Sequence, residues 1–105
     1  MQFMTAAGII ILAAACSAEA DMPETHIVEM HGLTFVPATV EAKVGDTVLW
    51  INTDVMPHTA TAADGAWDSG MMEVDDEWSL LIEEAGEMNF ICTYHPGMEG
   101  VITAE

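Results

Sequence analysis

The sequence predicts an all-β domain over residues 21–105, an antiparallel sandwich of seven or eight short strands. Three observations carry that prediction. Apolar and polar residues alternate with a period of two in several short runs. Turn signals built on Gly, Asp and Pro recur every 8–12 residues. No 11-residue window of this region holds a convincing helical period.

The strands can be justified in order. The pattern begins at residues 26–30 (HIVEM), then continues with Phe35-Val36-Pro37 and residues 39–44 (TVEAKV), where Val40, Ala42 and Val44 alternate with Glu41 and Lys43. Gly45-Asp46 is a turn. Residues 47–52 (TVLWIN) are β-branched and aromatic and apolar on both faces, as in a central strand. Residues 58–63 form a weaker strand ended by Asp64-Gly65, and Asp68-Ser69-Gly70 marks a loop. Residues 78–82 place Trp78, Leu80 and Ile82 on one face. Residues 83–86 turn the chain, residues 88–92 (MNFIC) alternate again, and residues 101–104 follow Gly100 as the last strand.

Composition narrows the function. A length of 105 residues is one domain's worth, and Lys43 is the single basic residue against 18 acidic ones, for a formal charge of −17. A chain without a Lys/Arg surface has no means of neutralising a phosphate backbone, so nucleic acid is excluded as a partner. The apolar content and three Trp argue against disorder despite the charge.

Residues 1–20 read as an export signal peptide. An apolar centre at residues 6–15 has the length of a signal h-region and is short for a membrane span. Ala18-Glu19-Ala20 fits a cleavage site and starts the mature chain at Asp21. The alternative is a lipoprotein signal ending before Cys16, since residues 12–16 (LAAAC) are one residue off a lipobox; Cys16 would then carry a lipid anchor. Either route predicts an exported protein, periplasmic or held on the outer face of a membrane.

The remaining cysteine, Cys92, has no partner for a disulfide within the body of the domain, and a free thiol in an oxidising compartment needs a purpose. Residues 92–98 (CTYHPGM) offer thiol, imidazole and thioether within seven residues. Met56-Pro57-His58 supplies a second imidazole just after the central strand. Soft sulfur suits Cu(I) and imidazole accepts Cu(II); two His, one Cys and a weak axial Met form the blue-copper donor set. The spacing suits a loop leaving a strand end, clamped by His58 from a neighbouring loop. The candidate ligands are therefore His58, Cys92, His95 and Met98. Zinc is the rival, because His₂Cys suits it too, but zinc has no use for Met98. His26 and His31, with Met22 and Met30 close by, are a second candidate for metal, but they read first as surface residues of the first strand.

Residues 44–58 (VGDTVLWINTDVMPH) and the loop 92–98 resemble the cupredoxins, and among them the amicyanin and plastocyanin-like branch, from about Ile27 to Glu105. The resemblance implies an eight-stranded Greek-key sandwich, one type 1 copper ion and outer-sphere electron transfer, with no enzymatic activity. It assigns the four residues above as ligands. It implies that Asn52, otherwise a strand-terminal turn residue, hydrogen-bonds across to the ligand loop, and that the ring edge of His95 reaches solvent through an apolar patch; Met56, Pro57 and Pro96 are candidates for it, while Met71 and Met72 read equally as ordinary loop packing. Gly97 stands where amicyanins carry a bulky aromatic that docks an amine dehydrogenase, so that dedicated partner does not carry over.

The function expected is a small exported electron carrier that shuttles one electron through Cu(I)/Cu(II) between redox proteins, as a monomer. The alternative is a periplasmic copper-binding or copper-delivery protein. Nine of the 24 residues from Asp64 to Glu87 are acidic. They read either as a solvated face or as a docking patch for a basic cytochrome c; a periplasmic dehydrogenase or oxidase is the other partner class.

Overall fold

A computed structural model describes residues 22–105; the expected signal segment and Cys16 lie outside the described residues. Eight strands form two sheets: β1 (Thr25–His31), β2 (Thr34–Val36), β3 (Thr39–Ala42), β4 (Thr47–Asn52), β5 (Thr61–Ala62), β6 (Glu77–Leu81), β7 (Gly86–Ile91) and β8 (Glu99–Ala104). One sheet has the order β2-β1-β4-β6 and the other β3-β8-β7-β5. The all-β sandwich is as the sequence predicts. Its pairing is mixed rather than wholly antiparallel, because β1 runs parallel to β4 and β3 parallel to β8. Both parallel pairs join strands that are distant in sequence, which local alternation does not report.

Strand alternation builds the core. Val28 and Met30 of β1 and Val48 and Trp50 of β4 turn inward from one sheet, and Val40, Phe90 and Ile102 from the other. Aromatic rings join the layers. Trp50 lies 5.3 Å from Phe90 edge-on and 5.4 Å from Trp67, and Phe90 meets Phe35 at 4.8 Å. Gly100 on β8 is what lets Phe90 lie so close, since a Cβ there would sit 2.4 Å from the ring.

One expected strand contracts. The pattern over residues 58–63 survives as β5, two residues long, because the backbone before it is used elsewhere. His58 exchanges both backbone hydrogen bonds with Met72. The Thr59 N–H points at Cys92 Sγ, and the Ala60 N–H donates to Ser69 Oγ at 2.8 Å. This departure from the ladder turns His58 and Thr59 towards the end of β7. Cys92 follows β7 directly, so the loops after β4 and after β7 meet at one pole of the sandwich.

Candidate metal centre

The loop after β7 is wound by its own backbone. The Cys92 N–H donates to the Met98 carbonyl at 3.1 Å, and the Met98 N–H to the His95 carbonyl at 3.1 Å. Gly97 takes φ 91° to close the turn. The winding returns Met98 beside Cys92 in the chain's path and buries it to 2% exposure. It also swings the His95 ring over the thiol, with Nδ1 3.5 Å from Cys92 Sγ.

His58 arrives from the other loop. It is wholly buried, and its Nδ1 lies 3.8 Å from Cys92 Sγ. The two imidazole rings are 4.9 Å apart at their centroids. One sulfur and two ring nitrogens thus lie within 4.8 Å of one another. At these separations they are poor hydrogen-bond partners for each other.

The orientation of His58 has a cause. Its Nε2 is 2.8 Å from Asp54 Oδ2. That hydrogen bond, followed by one from the Gly32 N–H, holds the Asp54 carboxyl below its ordinary range, so an ionised acceptor faces Nε2. An ionised carboxylate only accepts, so Nε2 is the donor, and Nδ1 is the ring atom turned to Cys92. A carboxylate behind a histidine is the usual support of a metal-ligating imidazole.

Thr59 is the tie between the two loops. Its N–H lies 3.4 Å from Cys92 Sγ, and its Oγ1 accepts the Thr93 N–H at 2.9 Å. Asn52 does not make the tie that the resemblance implies. Its side-chain amide donates to the Met56 and Met72 carbonyls, both at 2.9 Å, and its oxygen accepts the Asp54 N–H at 2.8 Å. As the last residue of β4 it is fully buried and faces its own loop, so it shapes the His58 side of the site.

The patch candidates divide between surface and packing. Met56, Pro57, Pro96 and Met71 are exposed and His95 is half-buried, but Met72 is 2% exposed because its pairing with His58 turns it into the core. Val55, 90% exposed, and Tyr94 join the apolar surface at this pole.

Sequence reasoning named His58, Cys92, His95 and Met98, and the fold brings the first three together directly. It missed Asp54, Thr59 and Thr93. The spacing of Asp54, four residues before His58, was the available signal. His26 is also not the plain surface residue expected: it lies 2.9 Å from Asp46, at the far end of β1.

The donor set fits a copper ion. A thiol with two imidazoles suits a borderline or soft metal, and a nearby buried thioether favours copper over zinc.

Comparison with known proteins agrees. The model of the family described as copper binding proteins, plastocyanin/azurin family, matches residues 24–105. The chain is 33% identical over 94 residues to amicyanin of Paracoccus versutus, an alignment covering 84% of this chain and 71% of the relative. It is 33% identical over 84 residues to amicyanin of Paracoccus denitrificans, covering 75% of this chain and 64% of that one. Among solved structures, a proline variant of amicyanin in the oxidised state superposes with a TM-score of 0.73 at 32% identity, covering 82% of this chain and 88% of its own.

Proposed function

The chain belongs to the plastocyanin/azurin family of copper-binding proteins, and we propose that it is an exported carrier of single electrons between redox proteins. Its cofactor is copper, which supplies the reversible Cu(I)/Cu(II) couple. His58, Cys92, His95 and Met98 are the proposed ligands.

One observation carries this reading. His58 is fixed from behind by Asp54 and aimed at Cys92, which also receives the Thr59 N–H. A donor set held by the protein resists rearrangement when the charge at its centre changes, and small rearrangement is what fast electron exchange needs. The Thr59 N–H stabilises negative charge on sulfur. His95 alone among the three clustered residues is half-buried, and exposed Met56, Pro57 and Pro96 lie on the same two loops. That edge is the proposed contact with donor and acceptor.

The rival reading, copper delivery, requires a site that opens to a partner. A wholly buried His58 and buried Cys92 and Met98 favour retention instead. A catalytic copper would need an open position with an acid or base beside it. The carboxylate nearest the site in its hydrogen bonding, Asp54, is occupied behind His58.

The acidic run in residues 64–87 supports a basic protein, such as a cytochrome c, as one partner. Residues 1–20 support export, with cleavage before Asp21 or lipidation at Cys16; the mass of the native N-terminus separates the two. The carrier reading is tested by voltammetry of the copper-loaded protein. A reversible one-electron wave, with copper retained in both states through repeated cycles, is expected. Loss of copper on reduction would support delivery instead.

A further inference from the structure

The pole opposite Cys92 holds a second group of metal-ligating side chains. β1 and β4 run parallel and begin there, with Thr25 beside Thr47. Glu24 and Asp46 precede those two strands, and His26 is the second residue of β1. Among the described residues, these three form the one grouping of His, Cys, Asp and Glu other than the copper site whose ligand atoms lie within 4.8 Å of one another.

Its chemistry differs from that of an acidic surface. His26 Nε2 lies 2.9 Å from Asp46 Oδ2 and 3.8 Å from Glu24 Oε1. Asp46 is 4% exposed, and its carboxylate is fixed by the Glu24 N–H on Oδ1 and the Lys43 N–H on Oδ2, both at 2.9 Å. One nitrogen and two carboxylate oxygens thus converge, with the carboxylate at the centre already locked in place. Tetrahedral zinc at ordinary bond lengths sets neighbouring N and O ligands roughly 3.4 Å apart. The Nε2 to Glu24 separation is close to that value. The Nε2 to Asp46 separation needs to open by roughly half an ångström, within side-chain adjustment.

A cavity of about 240 Å³ lies against Glu24 and Asp46, which leaves room for a water ligand. Glu41 and Glu105 line it as well, against the single cation Lys43. The field over the site attracts a dication.

We propose that Glu24, His26 and Asp46 form a second metal site that takes one divalent transition ion of the zinc type. On binding, the ion replaces the proton between His26 Nε2 and Asp46 Oδ2; from a neutral ring that proton is taken up at Nδ1, from an imidazolium it leaves to water, and Asp46 keeps its two backbone hydrogen bonds. The domain has no disulfide among its described residues, with Cys92 free. An ion here joins the segment before β1 to the turn before β4 and acts as a staple.

The test is a Zn²⁺ titration of the copper-loaded protein, followed by calorimetry and by NMR of the histidine rings. One Zn²⁺ per chain is expected, with the His26 ring signals displaced and the copper absorption unchanged. The melting temperature should rise by roughly 10–20 °C at a hundredfold excess over Kd. Glu24→Gln should weaken binding, and His26→Gln, which can still hydrogen-bond Asp46, should weaken it at least tenfold. Undisturbed His26 signals, equal affinity in His26→Gln, or Mg²⁺ binding as tight as Zn²⁺ would each overturn the site. The His26 ring reports on this pole alone, so the result stands apart from the copper assignment.

Discussion

Asp54 Oδ2 lies 2.8 Å from Nε2 of the buried His58, and the same carboxylate accepts the Gly32 and Leu33 N–H groups of the β1–β2 turn. One side chain therefore anchors the rear of a proposed copper ligand to the neighbouring hairpin. Asp54→Ala frees the imidazole to rotate and to change tautomer. Copper affinity should fall by about 10–100-fold, measured by competition against a Cu(I) chelator, while the unloaded protein keeps its strand signature in circular dichroism. Unchanged affinity would mean that the ring is oriented by packing alone.

Gly100, paired with Phe90 across β7 and β8, makes room for the buried Phe90 ring. A Cβ at this position meets Phe90 Cζ at 2.4 Å and the Ala38 carbonyl oxygen at 2.8 Å, and neither the buried ring nor the backbone can retreat cheaply. Gly100→Ala should lower stability by about 1–3 kcal/mol through overpacking, read from the urea midpoint at constant m-value.

Asp46 sets part of the acid limb of stability. The hydrogen bond from His26, with those from the Glu24 and Lys43 N–H groups, lowers its carboxyl to about 2. A carboxyl depressed on folding contributes stability that is full above its unfolded value, near 3.9, and is lost as pH falls through about 2. The metal-free protein should therefore lose stability across that window. Asp46→Asn should be less stable at neutral pH and show a shallower decline there, in urea midpoints measured from pH 5 downward. Parallel curves for the two proteins would show that the contacts of Asp46 do not favour its ionised form.

The acidic run in residues 64–87 steers encounter if it forms a docking face. Its side chains are exposed from Glu73 to Glu77 and again from Glu83 to Glu87. The second-order rate of reduction by a basic cytochrome c should fall steeply as ionic strength rises and the Debye length shrinks to about 10 Å at 0.1 M. A rate that ignores salt would leave solubility as the role of these charges.

The central strand β4 was legible to the residue, because its run of β-branched and aromatic residues, apolar on both faces, starts straight after the Gly45-Asp46 turn. Cys92, His95 and Met98 were legible because short loop spacing limits what three donors can do together. The mixed pairing was not, since β1–β4 and β3–β8 are set by closure of the sandwich rather than by local pattern. The strand expected at residues 58–63 failed for a related reason: Met72, Cys92 and Ser69 take the backbone groups that a ladder would use. Asn52 was misread because a resemblance gives a residue type and not its direction. The cross-loop bond belongs to Thr59, whose hydroxyl reaches the Thr93 N–H. Asp54, and the two carboxylates that join His26, Glu24 and Asp46, escaped notice because contacts between separate turns leave no periodic trace in a sequence.

The central claim, that His58, Cys92, His95 and Met98 close around one copper ion, is tested most directly by the visible absorption and EPR spectra of residues 21–105 with one equivalent of Cu(II). An intense thiolate-to-copper band with narrow copper hyperfine splitting, bleached by ascorbate, restored by oxidant and absent in Cys92→Ser, is the predicted result. A pale spectrum with tetragonal parameters that Cys92→Ser leaves unchanged would contradict it.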